Sequence, residues 1–330
     1  MPVVSAPAPV AAPKAPKAPT VADEPVQAAP RPAKPRKPRK AKVAQAGVEP
    51  HLRPVLKWMG GKAEQAVQIL ATMDIQPHEA YHEPFVGGGA VFFALANADQ
   101  QAGCRRTYRL SDANPRLIAL YTAIRDDLDP FLRALERLPA TNDPDTYRAI
   151  RTEFNAMGID SVETAARMLW LNRACFNGMY RENLSGGFNI PIGDVGRLTF
   201  PTDVRFRAVS TALQQCTVAV QDFRVVLAGL GDGDVAYLDP PYLKEASKTE
   251  GSAGFAAYTG SFGLVDHQEL DSLCRAAGDR GARIFVSAGA GQQSRDTYAH
   301  GCVAYQTQVR RSAGATAERR GLAGELLIRY

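Results

Sequence analysis

The sequence predicts an α/β protein built on a mainly parallel sheet. Short β-rich runs alternate with helical stretches through the outer parts of the chain, the pattern that lays crossover helices on a parallel sheet. A glycine-rich loop, Gly87-Gly88-Gly89, falls between a strand and a helix. The apolar run Val235-Ala236-Tyr237-Leu238 ends at Asp239-Pro240-Pro241-Tyr242, and ligands of open α/β sheets bind at the carboxyl ends of strands. At 330 residues and 45% hydrophobic content, the chain can form one large domain or two modest ones.

Residues 1–50 consist almost entirely of Ala, Pro, Lys, Arg and Val. Such a segment cannot bury enough apolar area to offset its ordering entropy, so a disordered tail with polyproline II character is expected. The net charge of +5 is concentrated there. Nine Lys/Arg against three Asp/Glu put +6 on residues 1–50, which leaves −1 on residues 51–330. The cluster Lys34–Lys40 reads as a nucleic-acid-binding arm, or equally as a solubilising tail or targeting leader.

The folded body is expected to begin near Leu52. Tyr81–Pro84 reads as a short strand leading into the glycine loop, and Ala90–Ala98 as the helix after it. Arg106–Leu110 reads as a strand ending at Ser111-Asp112. Asn114-Pro115, a cap residue followed by a first-turn proline, opens a helix over Pro115–Arg125. Residues 128–171 read as mostly helical, broken over Pro139–Asp145. Asn172–Gly193, rich in Asn, Gly and Arg, reads as a loop or hairpin. The strand before Asp239 follows, then a helix over Val265–Ala277 and a strand over Ala282–Ser287. Two strands near Val303–Arg310 and Gly324–Tyr330 could close an edge. There is no internal repeat.

The tetrapeptide at Asp239 is the most informative stretch. Its prolines offer carbonyl acceptors and no N–H donors, its carboxylate also accepts, and its tyrosine offers a flat stacking face. Such a site suits a planar ligand bearing an amino group, such as adenine or cytosine. An ordinary turn leaving a core strand is the other reading of the same residues. The glycine loop permits close approach of a ligand to the backbone. Asp112 ends the next strand, 23 residues beyond Gly89, near the offset at which an acid accepts hydrogen bonds from ribose hydroxyls. A dehydrogenase would share these features, but the loop lacks the full G-x-G-x-x-G spacing. Lys57-Trp58-Met59-Gly60-Gly61-Lys62 brings two cations, an indole and a glycine pair to the start of an expected helix. The lysines can meet a carboxylate or phosphates.

The five cysteines are scattered without CxxC spacing, and the five histidines show no HxxxH pattern. Neither a disulfide framework nor a metal site is expected, and a reducing cytoplasm fits. No apolar run is long enough to span a membrane, and the N-terminus lacks the apolar segment of a secretory signal.

Taken together and in order, these blocks resemble the Dam-type (D12 class) DNA adenine N6-methyltransferases. The matching stretches are Leu56–Lys62, Glu83–Phe93, Ser111–Asn114, Leu171–Gly193, Asp222-Phe223, Tyr237–Tyr242, Phe262–Leu270 and Gly321–Tyr330. The resemblance implies a Rossmann-like methyltransferase sheet, with S-adenosylmethionine as methyl donor and no metal. It implies a catalytic domain whose donor-binding part is 51–127 and whose second part is 195–330. Between them lies an inserted, mostly helical DNA-recognition region, 128–194. The family's donor-binding residues fall on Trp58, Lys62, Asp112 and Asp239, with the loop at Gly87 and Gly89, and Asp222-Phe223 resembles the pair bordering the donor's adenine ring. Asp239, Pro240 and Tyr242 carry the catalytic motif.

The segment Asn172–Asn183, followed by Gly187–Gly193, is similar to the family's DNA-reading hairpin. There, residues matching Phe176, Asn177, Met179, Arg181 and Pro191 approach the bases, with Lys57 also on the DNA side. The chemistry suits this, since Arg can pair with guanine, Asn with adenine, and apolar groups with a thymine methyl. The resemblance implies double-stranded DNA as partner and GATC as target. An adenine buried in a duplex has to be flipped out, and a monomer is expected because one flipped base needs one site. The expected location is the cytoplasm, on the nucleoid of a bacterium or phage-encoded in its host. Whether the enzyme is an orphan or accompanies a restriction partner is left open. An N4-cytosine methyltransferase and a catalytically impaired DNA-binding homologue are the alternatives. One departure stands out. After Ile284-Phe285-Val286-Ser287 the family commonly has Asn or Asp, and here Ala288-Gly289-Ala290 follows.

Overall fold

The computed structural model describes residues 51–243, 262–310 and 322–330. The expected disordered tail over 1–50, and Gly321 at the start of the last family-like block, lie outside the described residues.

The elements run in the order α1 (Ala66–Met73), β1 (Ala80–Glu83), α2 (Ala90–Ala102), β2 (Tyr108–Asp112), α3 (Pro115–Asp126), α4 (Leu128–Glu136), β3 (Thr141–Asn142), α5 (Pro144–Ala156) and α6 (Val162–Ala174). A 3₁₀ turn (Phe176–Gly178) follows, then β4 (Gly196–Arg197), α7 (Asp203–Leu213), β5 (Cys216–Val220), α8 (Phe223–Ala228), β6 (Asp234–Leu238), α9 (Leu264–Asp279), β7 (Arg283–Gly289), α10 (Gln292–Thr297), β8 (Cys302–Arg310) and β9 (Leu322–Arg329). Seven strands form one sheet in the order β5-β2-β1-β6-β7-β9-β8. The first five are parallel, while β9 runs antiparallel to both β7 and β8. The expected α/β architecture is therefore present, and the last two strands do close an edge.

Side chains alternate across the sheet, so burial on both faces is visible within single strands. Val235 and Tyr237 of β6 join the core beneath α1 and α2, whereas Ala236 and Leu238 join the core beneath α8 and α9. From β1 the chain moves outward through β2 to β5, then returns to place β6 on the other side of β1. The order reverses between β1 and β6, and a crevice at such a switch point is the usual ligand site.

Local chemistry explains the helix starts. Asn114 accepts hydrogen bonds from the N–H groups of Arg116 and Leu117 ahead of Pro115, as the sequence suggests. Asp143 and Ser161 cap α5 and α6 in the same way.

Some boundaries differ from those read in the sequence. The helical stretch is three helices, and the last runs to Ala174, so Asn172 and Arg173 are helical and the hairpin starts at Cys175. Asn172 is buried and turns its amide to neighbouring backbone, which is why a helix accepts it there. Arg106 does not lie in β2 but forms a buried ion pair with Asp99 at 2.8 Å. Edge strand β5 and helix α7 went unread.

Candidate active site

The glycine loop and the Asp239 tetrapeptide meet at the switch point. Gly87 has φ +45, and a Cβ there would sit 2.7 Å from the Trp58 indole, so only glycine lets the indole lie on the loop. The Gly87 carbonyl accepts from the Tyr121 hydroxyl at 2.7 Å. Gly89, at φ +68, opens α2. The half-buried Asp112 accepts from the N–H groups of Gly87 (3.1 Å) and Asn114 (2.9 Å). Burial nonetheless raises its carboxyl to about 6, against those bonds.

Phe223 is buried, stacks on Phe85 at 5.4 Å and lies 5.7 Å from Phe262. Asp222 caps α8 through the Arg224 N–H at 2.8 Å and is otherwise exposed. The N–H of Gln221 donates to the Asp112 carbonyl, so this corner adjoins Asp112. The loop and the carboxylate at the end of β2 are joined by the Gly87–Asp112 hydrogen bond, and the Phe223 corner adjoins them through Gln221.

Lys62 is 4% exposed. Its ammonium contacts Asp239 Oδ1 at 2.9 Å and donates to the Gly60 carbonyl at 2.8 Å. It also lies 4.9 Å from the centroid of the Tyr242 ring. Burial raises the Asp239 carboxyl, and Lys62 opposes that rise. Lys62 therefore joins Asp239 and Tyr242 into one unit. Glu83, at the end of β1, was not singled out in the sequence. It is buried, accepts from the Tyr81 hydroxyl at 2.7 Å, and is pushed up to about 8, chiefly by burial and also by Asp239. A glutamate just before a glycine loop was the available signal.

The hairpin connects to this site through its base. Asn172 Oδ1 accepts from the Lys57 N–H at 2.9 Å, and Asn172 Nδ2 donates to the carbonyls of Lys57 (2.7 Å) and Gly178 (3.0 Å). Gly178, at φ +66, leaves space that a Cβ would take from the Lys57 side chain. Trp58 stacks on Tyr180 at 5.8 Å. Phe176, Asn177 and Pro191 are exposed on the hairpin, and Lys57 is exposed beside it. Asn177 has φ 55, a left-handed conformation that Asn tolerates better than most residues. Arg181 is half-buried and donates to Asn189 Oδ1 at 2.7 Å. Met179, by contrast, is buried at 5% exposure, so its side chain packs inside.

A Lys62–Asp239 pair and a glycine loop bonded to Asp112 thus meet at the switch point of a mostly parallel α/β sheet. The family model for D12 class N6 adenine-specific DNA methyltransferases matches residues 58–310. The chain belongs to that family. The DNA adenine methylase of Serratia marcescens is 32% identical over 282 residues, covering 84% of this chain and 98% of the relative. The type II methyltransferase M.MjaIII of Methanocaldococcus jannaschii is 31% identical over 252 residues, covering 72% and 84%. A solved rRNA methyltransferase, aviRa from Streptomyces viridochromogenes, is 16% identical at a TM-score of 0.33 and covers 81% of this chain and 83% of that one. That likeness is too slight to bear on the site. No helix among the described residues is long and apolar enough to cross a membrane.

Proposed function

We propose that this DNA adenine N6-methyltransferase takes its methyl group from S-adenosylmethionine and acts on a flipped adenine, with GATC as target. The observation that carries the reading is the Lys62–Asp239 pair at the switch point, beside the glycine loop and Asp112. Asp112 suits the ribose hydroxyls, Phe223 and Asp222 border the donor's base, and Trp58, Gly87 and Gly89 shape the remaining wall. When bound, the donor supplies a methyl group activated on a sulfonium sulfur.

An adenine paired in a duplex has to leave the stack, at about a few kcal/mol. Tyr242 stacks on the extruded ring. Asp239 and the Pro240 carbonyl accept the two hydrogens of the exocyclic amine. That nitrogen's lone pair is delocalised into the ring. Two acceptors favour a pyramidal nitrogen whose lone pair points at the methyl group. With the donor bound, the nitrogen would take the methyl group as the donor's S–C bond breaks, and its surplus proton would pass to the Asp239 carboxylate that already accepts from it, and on to water. Catalysis rests on positioning and on acceptors fixed in place, with no covalent enzyme intermediate. Lys62 serves by keeping Asp239 ionised, hence a pure acceptor.

Residues 128–194 are the target-recognition region, with Phe176, Asn177, Arg181 and Pro191 placed to meet DNA and Lys57 beside them on a phosphate. Met179 contributes from inside the hairpin as packing. The enzyme acts as a monomer, since one flipped base needs one site.

The test is methylation of a duplex library with S-adenosylmethionine, read by single-molecule sequencing. N6-methyladenine confined to GATC supports the whole reading. The same mark in another context keeps the mechanism and discards the specificity. Asp239→Ala should abolish turnover while duplex binding stays measurable, and retained turnover would remove Asp239 from the mechanism.

A further inference from the structure

We propose that Glu325 is a positioning residue that fixes the Tyr242 ring through its hydroxyl, across a gap that Gly289 keeps open. The proposal rests on the reading of Tyr242 as the stacking platform. Gly289 of β7 pairs directly with Glu325 of β9. Two residues along, Ser287 pairs with Leu327, and Ser287 bonds the Tyr237 hydroxyl at 2.8 Å. Residues two apart share a face, so Tyr237, Ser287, Gly289, Glu325 and Leu327 all belong to the face that carries Lys62 and α1. A Cβ at Gly289 would lie 3.8 Å from Tyr242 Cδ2. The tyrosine ring thus packs over the one position of β7 on this face that lacks a side chain.

The Tyr242 hydroxyl is buried and meets no hydrogen-bond partner among the described residues. A buried donor left that way is costly, so an acceptor is expected to serve it in the working enzyme. Burial pushes the phenol up, and the carboxylates of Asp239 and Glu325 add to the rise. Asp239 is held by Lys62 at 2.9 Å and, in the proposed mechanism, serves the amine. Glu325 pairs with Gly289, over which the ring packs, and is the acceptor that this geometry offers. It lines a recess with Gln65, Ser287, Tyr305 and Thr307, so shortening it opens no void in the core. A phenol that donates to Glu325 cannot swing about its Cβ–Cγ bond, and the plane offered to the base stays fixed.

The experiment uses the full chain, a duplex carrying the sequence that the library assay shows to be methylated, single-turnover methylation, and 2-aminopurine fluorescence at the target position. Glu325→Ala and Tyr242→Phe should each slow methyl transfer about tenfold, the size of one hydrogen bond to a charged acceptor. The double variant should be no slower than either single variant, because both remove one interaction. Glu325→Gln keeps an acceptor oxygen and should recover most of the rate, which a purely structural loss would not show. It also carries the test if Glu325→Ala fails to fold. Donor and duplex affinities should not move. A wild-type rate in Glu325→Ala, or about a hundredfold loss in the double variant, overturns the proposal. Tyr242→Ala separates the two levels. If it abolishes transfer and the 2-aminopurine response while Glu325→Ala behaves as wild type, only the Glu325 proposal falls. If Tyr242→Ala is fully active, the stacking role falls and takes the proposal with it.

Discussion

Glu83→Gln isolates a strongly displaced carboxyl close to Asp239. Burial lifts the Glu83 carboxyl from 4.5 to about 8 in the folded chain, and the nearby Asp239 adds to the rise. A folded-state value above the unfolded one means that the folded chain holds more protons between those two pH values. Stability is then full below about pH 4.5 and falls as pH rises toward 8, levelling off beyond. At about 1.4 kcal/mol per pH unit, the whole interval is worth at most about 5 kcal/mol, and relaxation around the charge reduces that. Glutamine cannot ionise and keeps an oxygen to accept from Tyr81, which is 2.7 Å away in the native pair. Urea unfolding from pH 5 to 9 should therefore show a shallower loss of stability in Glu83→Gln, with the variant gaining on the native chain as pH rises. Asp112 and Asp239 titrate in both proteins, so the difference between the curves reports Glu83. Parallel curves across that range would refute the placement of a neutral carboxyl at this position.

Three further outcomes are expected. Asp112 reaches about 6 through burial, and only its ionised form is a strong acceptor, so calorimetric affinity for S-adenosylmethionine should decline as pH falls below about 6. Asp112→Asn should bind weakly at every pH; a native-like pH slope in that variant would assign the titration elsewhere. Asn172→Ala strands the N–H and carbonyl of Lys57 and the carbonyl of Gly178, at about 3 kcal/mol for backbone groups that lose their partners. An unchanged urea midpoint would sink the clamp. Removing residues 1–45, which carry nine Lys/Arg, should flatten the salt dependence of duplex binding, and an unaltered slope would free the tail from any role on DNA.

Much of the fold was legible because its signals are local. Asn114-Pro115 marked the start of α3, and the apolar run before Asp239 marked β6. Edge strand β5 escaped because Cys216–Val220 is partly exposed and lacks strict alternation. The candidate site was readable as a set of motifs, but its wiring was not. Asn172 looked like part of a loop, whereas it is a helical residue reaching 115 positions back to Lys57. Met179 was placed on the DNA side by the resemblance, whereas its side chain is buried at 5% exposure and the Cys175 thiol donates to its carbonyl at 3.2 Å. Glu83 and Glu325 lie far apart in sequence, and only strand pairing brings them to Asp239 and Tyr242.

The charge balance at that meeting point decides the chemistry. Glu83 is buried, Asp239 is half-buried, Glu325 acts on the Tyr242 phenol, and Lys62 contacts Asp239. Opposite charges at 2.9 Å attract by about 6 kcal/mol at an effective dielectric of 20. Desolvating each ion costs several kcal/mol, so the pair adds little net stability. What the pair does is choose a protonation state. In the proposed mechanism Asp239 accepts from the amine as the ionised carboxylate, and its burial opposes that form. A second ionised carboxylate on β1 would repel Asp239 and push it further up. Keeping Glu83 neutral near pH 7 removes that repulsion. The glutamate at the end of β1 thus supports the aspartate at the end of β6 by staying uncharged.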